Sequence, residues 1–431
     1  MQKNAILQLV KLSRKKALQY IESTQKTVNE ASYKTRSCKH PTNFTRERKM
    51  PFKKLIYFML TSVKSSTQNA LERYFEKTNE DVFITQQSFS EARQKLKVSA
   101  SIELFVMTVK LAYEEFYETW HGYRVMAIDG SKVALPSDEL LRNHYGTIGE
   151  GHTSVTAQGS VLYDPLNKVV VDALLEPIST DERTLALRHI DHLCNLGKFM
   201  KELILFDRGY PSFELIEKLK RNNLRFLMRV RAKFNLEIDA QTAPDGIVYL
   251  KKKGHEDIKL RVVKFPLPSG ETEVLISDLW DKRMGINGFK ELYFMRWPVE
   301  TKYDEVKNKL EIENFSGRSV LAIEQEFYIT MYMANIAAAA YWEAQEQVAS
   351  ERAKKDNRYH YQVNVNHEIG VLKDRFILAL LEDDAEKRSK QVRKILLLLI
   401  KRVSPVRPNR SVARKSSSRN SKFHHNQKSN C

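Results

Sequence analysis

Two apolar runs that each end in an aspartate constrain this chain more than any other feature. The first run, Arg124-Val-Met-Ala-Ile-Asp129, is followed at once by Gly130, and the second, Glu202-Leu-Ile-Leu-Phe-Asp207, is followed by Arg-Gly. Short apolar runs of this kind predict buried strands. An aspartate after a strand is often only a turn former or a helix cap. Two of them in one α/β unit favour a functional pair, because functional groups collect where strands leave a sheet.

The segments around these runs predict the rest of an α/β unit. Strands are predicted from Ser154 to Leu162 and from Lys168 to Leu175, joined by a turn at Tyr163-Asp-Pro-Leu-Asn167. The pattern from Asp181 to Leu193 predicts an amphipathic helix that begins with Thr180 as its cap. Alternating runs punctuated by glycine and proline between residues 233 and 282 indicate a β-rich insertion.

The net charge of +18 is concentrated at the two ends of the chain. Residues 1–54 carry a net charge of +11 and residues 401–431 carry +9, whereas the body between them is close to neutral. A near-neutral globular body with basic ends is typical of a polyanion binder, because each neutralised phosphate releases a counterion. Solvated, disordered tails would show the same composition. The charge therefore favours DNA or RNA as a partner and says nothing about chemistry.

A third acid, Glu300, lies in a segment whose polar residues share one helical face. Tyr293, Arg296, Glu300 and Lys307 fall within a stripe about 60° wide at the helical period. A solvated face would show the same pattern. Pro298 either kinks a continuous helix or begins a new one, and Glu300 and Lys307 lie on one face in both cases.

Three carboxylates in this setting predict two-metal phosphoryl transfer. Mg²⁺ prefers oxygen ligands, and two such ions can activate an attacking water and stabilise a leaving oxygen. Asp129, Asp207 and Glu300 are therefore the predicted catalytic residues and metal ligands, and Arg296 and Lys307 are expected to clamp phosphates. The sequence signals no histidine ligand pattern, no glycine-rich phosphate loop and no Ser-His-Asp arrangement. Its three cysteines lack metal-ligand spacing.

The sequence also resembles a known family. The spacing Tyr293-x2-Arg296-x3-Glu300-x6-Lys307 resembles the Tyr-Arg-Glu-Lys signature of bacterial insertion-sequence transposases of the IS-four type, which are DDE transposases. Ala127-Ile-Asp129-Gly-Ser and Phe206-Asp207-Arg-Gly-Tyr210 are similar to the first and second catalytic-acid segments of that family. The resemblance covers about residues 46–364 and, more loosely, the Pro405-Val-Arg-Pro-Asn-Arg-Ser segment.

The resemblance implies an RNase H-like core, which is a mixed sheet with flanking helices interrupted by a β-rich insertion. It implies that Asp129, Asp207 and Glu300 bind two Mg²⁺ ions, with Mn²⁺ as a substitute, and that Tyr293, Arg296 and Lys307 contact DNA. Family members act as dimers on paired terminal inverted repeats of double-stranded DNA. Some stack a flipped base on a tryptophan, for which Trp280 or Trp297 is the candidate, although a tryptophan is more often part of a core.

We therefore expect an α/β protein with helical regions before and after its catalytic core. The expected parts are a basic helical DNA-binding region at 1–120, the core at 121–232 and 283–350, the insertion at 233–282, and a C-terminal helical region with a basic tail at 351–431. The expected function is cut-and-paste DNA transposition by strand cleavage and strand transfer. The alternatives are a metal-dependent nuclease without strand transfer and a catalytically silent DNA-binding repressor. With no secretory signal or membrane span in the sequence, the protein is expected in the bacterial cytoplasm, at the nucleoid.

Overall fold

The protein is α/β, with helices before, around and after a large mixed sheet. The computed structural model describes residues 16–46, 48–61, 64–114, 117–149, 151, 153–197, 201–267, 269–281, 284–354 and 358–407. The first residues and the basic tail, on which part of the charge argument depends, lie outside these ranges. The helices before the sheet are α1 (Lys16–Asn29), α2 (Ala31–Ser37), α3 (Phe52–Leu60), α4 (Thr67–Lys77), α5 (Gln86–Arg93) and α6 (Ser99–Ala112).

Five strands form the centre of the sheet: β1 (Tyr123–Ala134), β3 (Ser154–Asp164), β4 (Val169–Pro177), β5 (Lys201–Phe206) and β6 (Arg225–Arg229). Their order is β4-β3-β1-β5-β6, and β3 runs antiparallel to both of its neighbours, whereas β1, β5 and β6 are parallel. The short β2 (Thr147–Ile148) also pairs with β3. Helices α7 (Glu139–Tyr145), α8 (Glu182–Leu196) and α9 (Phe213–Arg221) lie between strands in the chain. This mixed sheet with flanking helices confirms the predicted fold class.

The strands of the predicted insertion extend the same sheet. After the short α10 (Leu236–Ala240), the chain forms β7 (Asp245–Leu250), β8 (Ile258–Pro266) and β9 (Thr272–Ser277). β9 pairs antiparallel with β6, β8 with β9, and β7 with β8, so the sheet grows to nine strands. This extension places the end of β9 next to the strand that follows the second acid.

β1 is longer than the sequence predicted. The prediction placed Asp129 at the tip of the strand, but β1 continues to Ala134 and stays paired with β3 throughout that length. Its pairing with β5 ends at Ala127 opposite Leu205. The polar Gly-Ser-Lys segment after Asp129 does not alternate as a half-buried strand would, so β3 rather than local pattern keeps it extended.

One long helix holds the N-terminal region against the sheet. Helix α13 (Val320–Arg352) is buried on nearly all sides, in agreement with its continuous apolar and alanine-rich sequence, and packs on α6 and β4. Arg93 at the end of α5 is buried beneath it and donates hydrogen bonds to the Gln325 side chain and the Ala322 carbonyl. Arg93 is therefore an anchor between regions. The cap of α5 is Thr85, whose side chain accepts a hydrogen bond from the Ser88 backbone N–H.

The C-terminal region contains structure that the sequence did not predict. The region predicted to be helical also contains β10 (His360–Val363), which pairs with β11 (Val403–Val406). Helices α14 (Val365–Leu381) and α15 (Ala385–Lys401) lie between these two strands in the chain. Local pattern cannot reveal a pairing between strands so far apart in the chain. Across the described part of the chain, no helix combines the length and the apolar character that crossing a membrane would require.

Candidate functional site: a cluster of carboxylates where two parallel strands separate

Asp129 and Asp207 lie at the same level on neighbouring strands. Each stands two residues beyond the last registered pair, Ala127 with Leu205, at the edge where β1 and β5 separate. The apolar residues before them are completely buried, which fixes both strands in the core and leaves only their ends near solvent. Parallel strands that separate at their carboxyl ends form a crevice, which is where α/β folds place ligands. The two predicted acids therefore face one crevice.

The segment that carries the third acid consists of two helices. Helix α11 (Ile286–Phe294) holds Tyr293, and helix α12 (Pro298–Asn308) holds Glu300 and begins with Pro298 at its first position. Arg296 lies in the turn between them. Pro298 therefore begins a new helix, which was one of the two possibilities left open by the sequence.

Hydrogen bonds join these helices to the strand ends. The Tyr293 hydroxyl donates to Asp207 Oδ1 at 3.2 Å, and Arg296 Nη2 lies 3.2 Å from Glu300 Oε1. Arg296 is only 6% exposed, and its Nε is buried with no hydrogen-bond partner. A buried guanidinium nitrogen without a partner is costly, which marks it as a donor available to an anion.

The pKa of Asp129 shows how burial and neighbouring charges act on the site. Burial, together with the charges of Glu182 and Glu300, raises this pKa from its ordinary 3.8 to about 7, although Arg296 acts in the opposite direction. A carboxyl whose ionisation is this unfavourable is typical of functional sites. The arrangement favours any cation that reaches the crevice.

The backbone of Asp129 is held by groups that the sequence did not single out. The hydroxyls of Tyr303 and Ser160 donate to the Asp129 carbonyl at 2.8 and 3.3 Å. Behind Ser160, His189 places Nε2 at 2.9 Å from Ser160 Oγ and Nδ1 at 2.7 Å from Asp172 Oδ2. This is a Ser-His-Asp order, but Ser160 and His189 are completely buried, so we interpret it as support for the strand rather than as a nucleophile.

The remaining predicted residues are less closely associated with the acids. Lys307 donates a hydrogen bond to the carbonyl of Lys132, which lies on the part of β1 beyond Asp129. The Lys307 ammonium also lies 3.7 Å from a carboxylate oxygen of Glu313. Trp297 adjoins Arg296 and is 50% exposed. Trp280 follows β9 and is 36% exposed, with the Lys259 ammonium 4.9 Å from its ring centre. Neither tryptophan is the buried core residue that was the alternative interpretation.

The residues of the crevice fit a divalent cation in their chemistry but are not closed around one. Carboxylate oxygens are the donors that Mg²⁺ prefers. Among the residues that the structure describes, however, no three His, Cys, Asp or Glu side chains are placed to hold one ion together. Glu300 Oε1 lies 3.2 Å from Arg296 Nη2, and the Glu300 side chain is 36% exposed. Binding one ion jointly therefore requires the carboxylates to move closer together.

Comparison with known proteins agrees with the motif. Residues 120–336, half of the chain, match the family model described as the transposase DDE domain. The chain matches no curated protein sequence. Among solved structures, it aligns with a cryo-EM structure of the piggyBac transposase synaptic complex with hairpin DNA, with a TM-score of 0.44 and 10% sequence identity. That alignment covers 90% of this chain and 85% of the other.

Proposed function

Because the chain belongs to the transposase DDE-domain family, we propose that it is a metal-dependent DNA transposase of the bacterial insertion-sequence type. The observation that carries the proposal is the convergence of Asp129, Asp207 and Glu300 beside the buried, incompletely bonded Arg296. The reaction would cleave a phosphodiester with water to leave a 3′-hydroxyl. That hydroxyl would then attack a phosphodiester of target DNA, joining the element to the target and releasing the target's own 3′-hydroxyl.

Asp129, Asp207 and Glu300 would hold two divalent cations, Mg²⁺ with Mn²⁺ as a substitute. Such ions polarise a phosphate and lower the pKa of bound water. The chain's own residues would bind and orient the substrate. Arg296 would donate its Nε hydrogen to a phosphate oxygen, which would remove the cost of burying that group unpaired. Tyr293 would keep Asp207 oriented through the 3.2 Å hydrogen bond.

Three further side chains belong to the proposed DNA contact. Lys307 would approach a phosphate from two turns along α12, after exchanging its present carbonyl partner. Trp297 and Trp280 expose enough of their rings to stack on a base, and Trp297 has the better position because it adjoins Arg296. For the same reason, Trp297 is the preferred candidate for stacking a base flipped out of the duplex.

A basic cleft supports DNA binding by the N-terminal region. The cleft encloses about 880 Å³ and is lined by four cationic side chains, Arg46, Arg48, Lys49 and Lys95, against the single described acid Glu91. Cationic side chains around an open cleft suit a phosphate backbone. We expect this surface to hold the terminal repeat while the crevice cuts its edge. On the family resemblance, the active species would be a homodimer on paired DNA ends.

The proposal is tested by cleavage of a labelled duplex that carries the terminal inverted repeat of the host element, in the presence of Mg²⁺. We expect the wild type to leave a 3′-hydroxyl at the repeat edge, and Glu300→Gln to bind the duplex without cutting it. Asp304→Asn, which removes an exposed carboxylate one turn along the same helix, is the control and should cut normally.

A second reaction with a target plasmid separates the two enzymatic possibilities. Joining of the cleaved end to the plasmid supports transposition, whereas cleavage without joining would identify a nuclease. Duplex binding by the wild type without cleavage in Mg²⁺ or Mn²⁺ would contradict both, and would indicate a DNA-binding repressor.

A further inference from the structure

A fourth carboxylate, that of Glu182, lies between the two strand ends. Glu182 is the first residue of α8, and its side chain reaches back to the glycines that follow the two predicted acids. A β-carbon at Gly130 would come within 2.7 Å of Glu182 Oε1, and one at Gly209 within 3.8 Å of Glu182 Oε2. The carboxylate therefore occupies space that a β-carbon at position 130 would take, and it lies within ordinary contact distance of position 209.

Capping of the helix does not explain this position. The cap of α8 is Asp181, whose side chain accepts from the backbone of Arg183 and Thr184. A glutamate in the first turn is stabilised by the helix dipole wherever its side chain points. Glu182 is an exposed residue that could extend into water, yet it contacts the strand ends, where it meets other negative charges.

The surroundings of Glu182 are those of a site for an ionic ligand. The negative charges of Asp207 and Asp181 repel the Glu182 carboxylate, and the Glu182 carboxylate in turn repels that of Asp129. Like charges gathered at a half-buried place are unfavourable unless cations offset them. Arg296, which is 6% exposed and has an unpartnered Nε, is an independent sign that a ligand with a negative group enters the same crevice. A divalent cation bound to a phosphodiester satisfies both requirements.

We propose that Glu182 is a further catalytic residue that contributes a fourth carboxylate to the binding of divalent cations between β1 and β5. This inference rests on the proposed function, since it adds a residue to the same metal-binding crevice. It assigns a role to a residue that lies outside the three segments on which the motif depends. Its chemical requirement is simple: the carboxylate charge must be present, and it must remain in the niche of Gly130 and Gly209.

The first experiment measures Mn²⁺ binding directly, from the loss of the free Mn²⁺ electron paramagnetic resonance signal, using the full chain with and without the terminal-repeat duplex. Glu182→Gln keeps the size of the side chain and removes its charge. We expect it to weaken Mn²⁺ binding about tenfold, the effect typical of losing a group that supports a metal site. Asp181→Asn is the matched control, because it removes the neighbouring charge while asparagine still caps the helix, and it should change binding less than about twofold.

A second variant tests position instead of charge. Gly130→Ala adds a β-carbon that would displace the Glu182 carboxylate and the Gln158 amide, which lies 2.8 Å from the same point. Both are ends of flexible side chains, so the strand should tolerate the change. We expect Gly130→Ala to weaken Mn²⁺ binding several-fold in the wild type and to have little further effect in Glu182→Gln, because the two changes remove one interaction.

The outcomes separate this inference from the proposed function. If Asp129→Asn loses Mn²⁺ binding and Glu182→Gln binds as the wild type does, the fourth carboxylate is wrong and the metal-dependent function stands. If neither variant differs from the wild type, or if the wild type itself binds no Mn²⁺ with or without DNA, the metal centre is wrong and this inference falls with it. Independent effects of Gly130→Ala and Glu182→Gln would overturn the role assigned to the niche.

Discussion

Asp129→Asn should stabilise the protein at neutral and alkaline pH while removing its activity. The pKa of Asp129 lies at about 7 in the folded chain, first because of burial and then because of Glu182 and Glu300, against 3.8 as its ordinary value. The ionised side chain therefore costs the folded state up to about 4 kcal/mol above pH 7. Since Asp129 is only half-buried, solvent screening reduces this, and we expect a gain of about 1–3 kcal/mol for the uncharged variant.

The pH dependence of stability shows in which direction Asp129→Asn should act. Between pH 4 and 7 the folded protein keeps a proton on Asp129 that the unfolded chain has already lost, so the free energy of unfolding falls as the pH rises through this window. Asparagine does not titrate, and its side-chain oxygen can still accept the Gly130 backbone hydrogen bond. The gap between Asp129→Asn and the wild type should therefore open between pH 4 and 7 and remain constant above pH 7.

Thermal unfolding at pH 5 and pH 8, with and without Mg²⁺, measures the effect. We expect the variant to melt a few degrees above the wild type at pH 8 without Mg²⁺, and the difference in melting temperature to be clearly smaller at pH 5. Mg²⁺ should raise the melting temperature of the wild type more than that of the variant, because it binds the folded site. Asp304→Asn should show neither effect. A variant that melts at or below the wild type at pH 8 would refute the electrostatic reasoning.

Three other substitutions test the surroundings of the site. His189→Ala should cost about 2–4 kcal/mol in denaturant unfolding, because it removes the 2.7 Å contact with Asp172 from a completely buried position; a cost below 1 kcal/mol would contradict this support. Tyr293→Phe should slow cleavage about tenfold through loss of the hydrogen bond to Asp207, with unchanged duplex affinity in a filter-binding assay; unchanged cleavage would remove Tyr293 from the mechanism. Arg93→Met should cost about 3–5 kcal/mol and loosen the N-terminal helices, seen as faster proteolysis before residue 113; equal proteolysis would show that Arg93 is no anchor.

The sequence was sufficient for the parts of the fold that depend on local pattern. The runs before Asp129 and Asp207 are completely buried strands, as their apolar composition predicts. The turn at Tyr163–Asn167 joins β3 to β4, and its residues carry the side chains that turns require. The sequence showed that the helical pattern is interrupted at Pro298, but it could not decide between a kinked helix and a new helix, because a proline permits both.

The parts that the sequence did not reveal depend on contacts between distant segments. Pairing of β10 with β11 joins residues about forty positions apart, and neither strand has an apolar pattern of its own. Arg93 lies within the region 1–120 that was predicted to bind DNA, but it is buried by partners on α13. The α8 helix was predicted from its apolar face alone, with Thr180 as its cap, whereas Asp181 holds that position. That difference of one residue makes Glu182 the first residue of the helix instead of the second.

Gly130 follows the first strand-end acid for a reason that the sequence pattern alone did not reveal. A glycine shortly after a strand-end acid usually indicates a turn that needs a left-handed backbone. Neither Gly130 nor Gly209 has a positive φ, and Gly130 lies inside a strand that continues beyond it. Backbone freedom therefore does not require glycine at either position. The Glu182 carboxylate favours glycine at position 130, where a β-carbon would meet it at 2.7 Å, but not at position 209, where the distance would be 3.8 Å. At Asp129, the pattern of an apolar run, an acid and a glycine thus reports the space that an acidic crevice needs, and helix α8, which follows β4, supplies the side chain that fills it.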